Sequence, residues 1–113
     1  MSLPARYDII HYQGDTYTLS LVLDNDLTAQ TAKFEIDLPN QTTPDLELTN
    51  ASGITSTFDA LTNKTTFVIT ISSAQSTTLG ASSIFWYDFQ LSDGVTVTTF
   101  LAGSFTQMAQ TSV

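Results

Sequence analysis

The chain has 113 residues, no cysteine, 42% apolar residues and a formal net charge of −8, with Arg6, Lys33 and Lys64 as its only Lys or Arg side chains. This length fits one domain, 1–113, with enough chain to bury a single core. The composition excludes disulfides and thiolate metal sites, and no window approaches the ~18 apolar residues of a membrane helix. So few cations argue against nucleic acid and anionic membranes as partners.

Taken in order, Met1 to Arg6 reads as a flexible arm or an edge strand, given Pro4, and it lacks the basic and apolar regions of a secretory signal. Tyr7–Gln13 reads as a short strand turned by Gly14 and Asp15. Thr16–Leu23 alternates, with Tyr17, Leu19, Leu21 and Leu23 on one face. Asp24, Asn25 and Asp26 make a turn, because such side chains bond their own backbone. Ala32–Leu38 alternates again, with Phe34, Ile36 and Leu38 inward and Lys33, Glu35 and Asp37 outward, until Pro39 and Asn40 stop it. Asp45–Thr49 is a short edge strand, Ile54–Phe58 another strand, and Thr65–Ile71 a buried one containing Ile69. Ser72–Gly80 has a Ser cap, an Ala-containing run and a terminal Gly, and reads as one or two helical turns.

The most aromatic run follows, from Ser83 to the Asp93–Gly94 turn. Phe85, Tyr87, Phe89 and Leu91 share one face; Ile84, Trp86, Asp88 and Gln90 share the other. A strand of this kind sits at the centre of a sheet, and large aromatic rings make the core. The expected core is therefore Phe34, Ile36, Ile69, Trp86, Tyr87, Phe89 and Leu91, with Trp86 taken as buried by default. Val95–Ala102 and Ser104–Met108 close the chain, Gly103 between them marking a bulge or a close backbone approach, and the tail 109–113 is polar.

Seven or eight short strands at roughly ten-residue spacing describe an all-β, antiparallel β-sandwich. A short helix between two buried strands, just before an aromatic strand, is how the E–F connection of an immunoglobulin-like sandwich looks. On that reading Tyr87 is either the tyrosine-corner residue or plain core.

Three pieces in this order carry a family likeness. They are Gln13-Gly14-Asp15-Thr16 before an alternating strand, Tyr87-Asp88-Phe89-Gln90-Leu91 after the Ser-rich helical stretch, and the final Leu101-Ala102-Gly103 strand. From about Ile9 to Thr106 the chain resembles immunoglobulin-like domains of bacteriophage structural proteins, nearest to the N-terminal attachment domain of baseplate upper proteins and related tail-fibre or virion proteins. The resemblance implies a non-enzymatic module that docks virion proteins to one another, needs no cofactor, and is present in many copies or as a homo-oligomer. It also implies synthesis in the host cytoplasm and residence in the virion. The chain stops just after the domain, so the expectation is a small stand-alone protein: an adaptor of the tail, baseplate or fibres, or a decoration protein of the capsid. Candidate docking segments are the two ends, Ser2, Leu3, Pro4, Ala5, Arg6 and Tyr7, and Gln107 and Met108.

Other chemistry is less well marked. His11 is the single histidine, and no nucleophile elbow stands near it, so no catalytic residue is assigned. Asp24–Asp26 lacks the Gly and the distant Glu of a calcium loop, so no metal ligand is assigned either. Glu35 with Asp37, and Asp45 with Glu47, read as solvated acidic faces that keep an edge from pairing. The alternative class is a carbohydrate-binding module, with Trp86 or an exposed Tyr7, Tyr12 or Tyr17 as the stacking platform.

Overall fold

A computed structural model describes residues 5–37, 46–79 and 83–108. Its elements are β1 (Ala5–Arg6), β2 (Ile9–Tyr12), β3 (Tyr17–Asp24), β4 (Thr31–Asp37), β5 (Leu46–Thr49), β6 (Ile54–Asp59), β7 (Lys64–Ile71), α1 (Ser73–Thr78), β8 (Ser83–Ser92) and β9 (Val97–Met108). One sheet has six strands, in the order β1-β9-β8-β4-β5 with β2 also on β9; the other has three, β3-β7-β6. The protein is all-β, with two sheets facing each other across one core.

The period of two builds that core. Phe34, Ile36, Phe85, Tyr87, Phe89 and Leu91 point from the larger sheet, and Phe67, Ile69 and Ile71 point from the smaller; all are buried. The Phe67 and Phe89 rings meet across the sheets at 5.4 Å, and Phe34 and Tyr87 lie 5.3 Å apart on neighbouring strands. Helix α1 forms where the Ser cap predicts it. The Ser72 hydroxyl accepts from Gln75 N–H, and the Gln75 side chain accepts in return from Ser72 N–H, a reciprocal capping box. Leu79 follows as an extended, buried C-cap; Gly80 lies outside the described residues.

Several expectations change. Trp86 is not core: it is 43% exposed, because it alternates with Tyr87 and no described element covers the outer face of the six-stranded sheet. The strands are not all antiparallel, since β1 and β2 both run parallel to β9. Nine strands are described rather than seven or eight. The run Val97–Met108 is a single strand, and its register shift falls opposite Phe89 and Gln90, leaving Phe100 as the extra residue rather than Gly103.

The opening segment, expected as one strand from Tyr7, breaks at Tyr7 and Asp8. Two side chains there take over backbone bonds. The Tyr87 hydroxyl donates to the Tyr7 carbonyl, and the Asp8 carboxylate accepts from Ser104 N–H at 3.0 Å. Gly103 is the close-approach case. It sits opposite Tyr87, and a Cβ on it would collide with the Tyr7 carbonyl oxygen and lie 2.9 Å from that carbonyl's carbon. The tyrosine-corner reading of Tyr87 fails as stated, because its bond spans 80 residues of sequence instead of a few.

Replacing Gly103 by Ala will force β1 away from β9 or strain both. The expected loss is about 1–3 kcal/mol in urea unfolding, with the Tyr7 amide the first to lose hydrogen-exchange protection. An unchanged midpoint would show that the close approach is not needed.

Candidate functional site

The outer face of the six-stranded sheet is the strongest candidate site. Strand register sets its rows. Tyr12 lies beside Met108; Ile10 beside Thr106 and Ile84; Ser104 beside Trp86 and Asp37; and Ala102 beside Asp88, Glu35 and Glu47. One end is therefore apolar, with Ile10 at 72% exposure and Ile84 at 59%, and with Tyr12, Met108 and Trp86 also exposed. The other end is acidic. Exposed single hydrophobic residues are ordinary, but a contiguous set on one sheet face is the mark of a contact surface.

Trp86 stands where the two ends meet. The Arg6 guanidinium lies 5.8 Å from its ring centroid, and Arg6 also pairs with Asp8 at 3.3 Å. The Ser104 N–H on Asp8, helped by Arg6, holds the Asp8 carboxyl below its usual range. Between Arg6, Trp86, Asp88, Thr99 and Ala102 is an open groove of about 450 Å³. Asp88 is half-buried there, and one of its carboxylate oxygens has no hydrogen-bond partner. Burial pushes its carboxyl above the usual range, and the negative charges of Glu35 and Asp37 push the same way.

The remaining candidates are placed as follows. Ser2, Leu3, Pro4 and the tail 109–113 lie outside the described residues. Ala5 and Arg6 are exposed but already paired to Leu101 and Ala102, and Tyr7 is exposed with its carbonyl held by Tyr87. Met108 is exposed and belongs to the outer face. Gln107 is a correction: it is fully buried and cannot dock anything. Its Oε1 lies 3.0 Å from His11 Nδ1, and its Nε2 donates to the Ser76 carbonyl at 2.7 Å, which ties β2, β9 and α1 together. His11 is thus a packed ring between Tyr17 and Phe105, buried, with no nucleophile among these contacts. Of the expected turn Asp24–Asp26, Asp24 is the last residue of β3 and the chain bends at Asn25. Asp24 pairs with Lys64 at 2.5 Å, Asn25 takes a left-handed φ of 75°, and Asp26 accepts from Thr28 N–H and hydroxyl. No group of three or more metal-ligating side chains occurs among the described residues.

No protein-family model matches the chain, and no curated protein matches it.

Sequence reasoning placed Trp86, Ile84 and Asp88 on one face but did not join them to Ile10, Tyr12 and Met108. The signal was present in the alternation of Ile9–Tyr12, and the parallel pairing that brings this strand beside β9 was not.

Replacing Gln107 by Leu will leave His11 Nδ1 without its partner and the Ser76 carbonyl with the Leu79 N–H alone. The cost should be about 1–3 kcal/mol, read as a lowered urea midpoint with the native circular dichroism kept. Asp88 gives a pH test. Its folded pKa lies above the unfolded value of 3.8, so its ionisation costs stability as pH rises. Asp88→Asn should therefore stabilise the protein at pH ~7, and the gain should fade as pH drops toward ~4. A gain that is flat with pH would count against a strained carboxylate.

Proposed function

We propose that this chain is an immunoglobulin-like docking module of a bacteriophage virion, a non-enzymatic adaptor or attachment piece of the tail, baseplate or fibres. The observation that carries a docking role is the apolar half of the outer sheet face, formed by Ile10, Tyr12, Ile84, Trp86 and Met108. Strand order supports the fold-level reading. β9, β8, β4 and β5 on one side and β3, β7 and β6 on the other, with a helix between β7 and β8, fit the two-sheet scheme of such domains. The virion assignment itself rests on the resemblance of the three sequence pieces.

Those pieces also have physical work in common. Gly14 N–H donates to the Ser76 hydroxyl, Ser73 donates to the Gly14 carbonyl, and Gln13 reaches the carbonyls of Thr77 and Leu79. Tyr87 and Gly103 together hold Tyr7. Each piece is a joint of the fold, so the likeness speaks first to architecture. The capsid-decoration role is an alternative for the same docking face.

A sugar-binding reading has one observation of its own, the exposed Trp86 beside Asp88, Asp37 and the groove. Against it, the Arg6 guanidinium already lies over the indole and competes with a stacked sugar ring.

The test is mass spectrometry of purified particles and of their separated heads and tails. Occurrence in tails or baseplates supports the adaptor; occurrence in heads makes the chain a decoration protein. Absence from every particle overturns the virion reading and puts a glycan array first. The double variant Ile84→Glu with Met108→Glu should keep its circular dichroism yet fall about tenfold or more in particle incorporation, as expected for charges placed in an apolar contact. Full incorporation would remove the outer face from the docking role.

A further inference from the structure

Strand β3 lies at the edge of the smaller sheet, with β7 its one neighbour among the described residues. The direction of its main-chain groups follows from its neighbours. Thr70 N–H donates to the Gly53 carbonyl, so the even-numbered residues of β7 bond toward β6 and the odd-numbered ones toward β3. Tyr17, Leu19, Leu21 and Leu23 pair with odd residues Ile71, Ile69, Phe67 and Thr65. The N–H and C=O groups of Thr18, Ser20 and Val22 therefore turn outward, an open ladder.

The side chains on this edge are also incompletely covered. Tyr17, Leu19, Leu21 and Leu23 all face the core yet are only half-buried, whereas Thr65, Phe67, Ile69 and Ile71 beside them on β7 are buried. The usual devices that blunt an edge are missing too. β3 has no Lys, Arg or Pro, its eight-residue pairing to β7 is unbroken, and its only charge is Asp24 at the very end, paired with Lys64. Edge strand β5, by contrast, carries Glu47 in its four residues, and the β1–β2 edge carries Arg6, Asp8 and a break.

We infer that β3 is a self-association edge, completed by β3 of a second copy of this chain running antiparallel across a two-fold axis. The sequence of the strand fits itself. With the axis through Ser20, Leu19 meets Leu21, Tyr17 meets Leu23, Thr18 meets Val22, and Ser20 meets Ser20. Core-facing residues thus pair with core-facing residues, and the outward N–H groups of each strand donate to the outward C=O groups of the other. Asp24 meets Thr16, so no two carboxylates face each other, which matters for a chain of net charge −8. The interface is isologous, as closed two-fold dimers require. It lies on the opposite sheet from the outer-face patch and stands or falls independently of the virion reading.

The test is sedimentation equilibrium of the full chain across a dilution series, alongside Ser20→Pro. Proline at this position loses only an outward N–H, so the monomer fold should survive. The expected result is a mass near twice 12.3 kDa at high concentration. The dimer should dissociate on dilution, and Ser20→Pro should weaken it about tenfold or more with circular dichroism unchanged. A monomer at every concentration overturns the inference, and so does a dimer that Ser20→Pro leaves intact. Should the proline variant unfold, hydrogen exchange of the unmodified chain decides. Slower exchange at Thr18, Ser20 and Val22 on concentration supports the inference; exchange that does not depend on concentration overturns it.

Discussion

A missing side chain at Gly103 and a hydroxyl on Tyr87 hold Tyr7 against the last strand. The two residues are cross-strand partners, and the space that a Cβ would fill is taken by the Tyr7 carbonyl, which the Tyr87 hydroxyl binds. That contact pins the first segment to the last strand and sets the parallel register that follows, Ile9 beside Phe105 through Tyr12 beside Met108. Burial also pushes the Tyr87 phenol far above its usual pKa, so it remains a donor across any ordinary pH. Ile10 and Tyr12 come to the outer face beside Thr106 and Met108 through this register.

A second joint secures the other end of the same strand. His11, Gln107 and Ser76 form a buried polar chain that links β2, β9 and α1, and the Gln13–Gly14 turn is bonded to the helix from outside the core. Apart from His11 Nε2, which has no hydrogen-bond partner among the described residues, the buried polar side-chain atoms of this joint are paired, and such pairing favours one arrangement over its neighbours. Short strands with interchangeable Thr and Ser rows have weak intrinsic register, so a polar lock of this kind has a clear purpose.

The two sheets are unequal, six strands against three, and this inequality creates the available surfaces. The smaller sheet covers only the inner face of the larger one. The outer face of the larger sheet is left with an apolar end and an acidic end, and the first strand of the smaller sheet is left with an open ladder. The three basic side chains are each within ion-pair distance of a carboxylate of the same chain, at Asp8, Glu35 and Asp24. Lys33 therefore supplies one cation to the acidic end of the outer face, through Glu35, whereas the β3 edge asks for no charge at all. Fold alone does not decide what such faces hold.

Alternation of apolar and polar residues was enough to read the all-β class and strands β3 to β7, and residue types were enough to read the Ser72 cap and the bend after Asp24, because these depend on neighbours in sequence. The inward set Phe34, Ile36, Ile69, Tyr87, Phe89 and Leu91 was legible for the same reason. Which face of the aromatic strand would be covered was not, and Trp86 shows why: a period of two separates its two faces without saying whether one or both meet another layer. The fate of Gln107 was equally hidden, since its partners are 96 and 31 residues away in sequence. Local pattern fixes the direction in which a side chain points; only long-range pairing decides what stands opposite it, and here that pairing turned a supposed docking residue into core and a supposed core residue into surface.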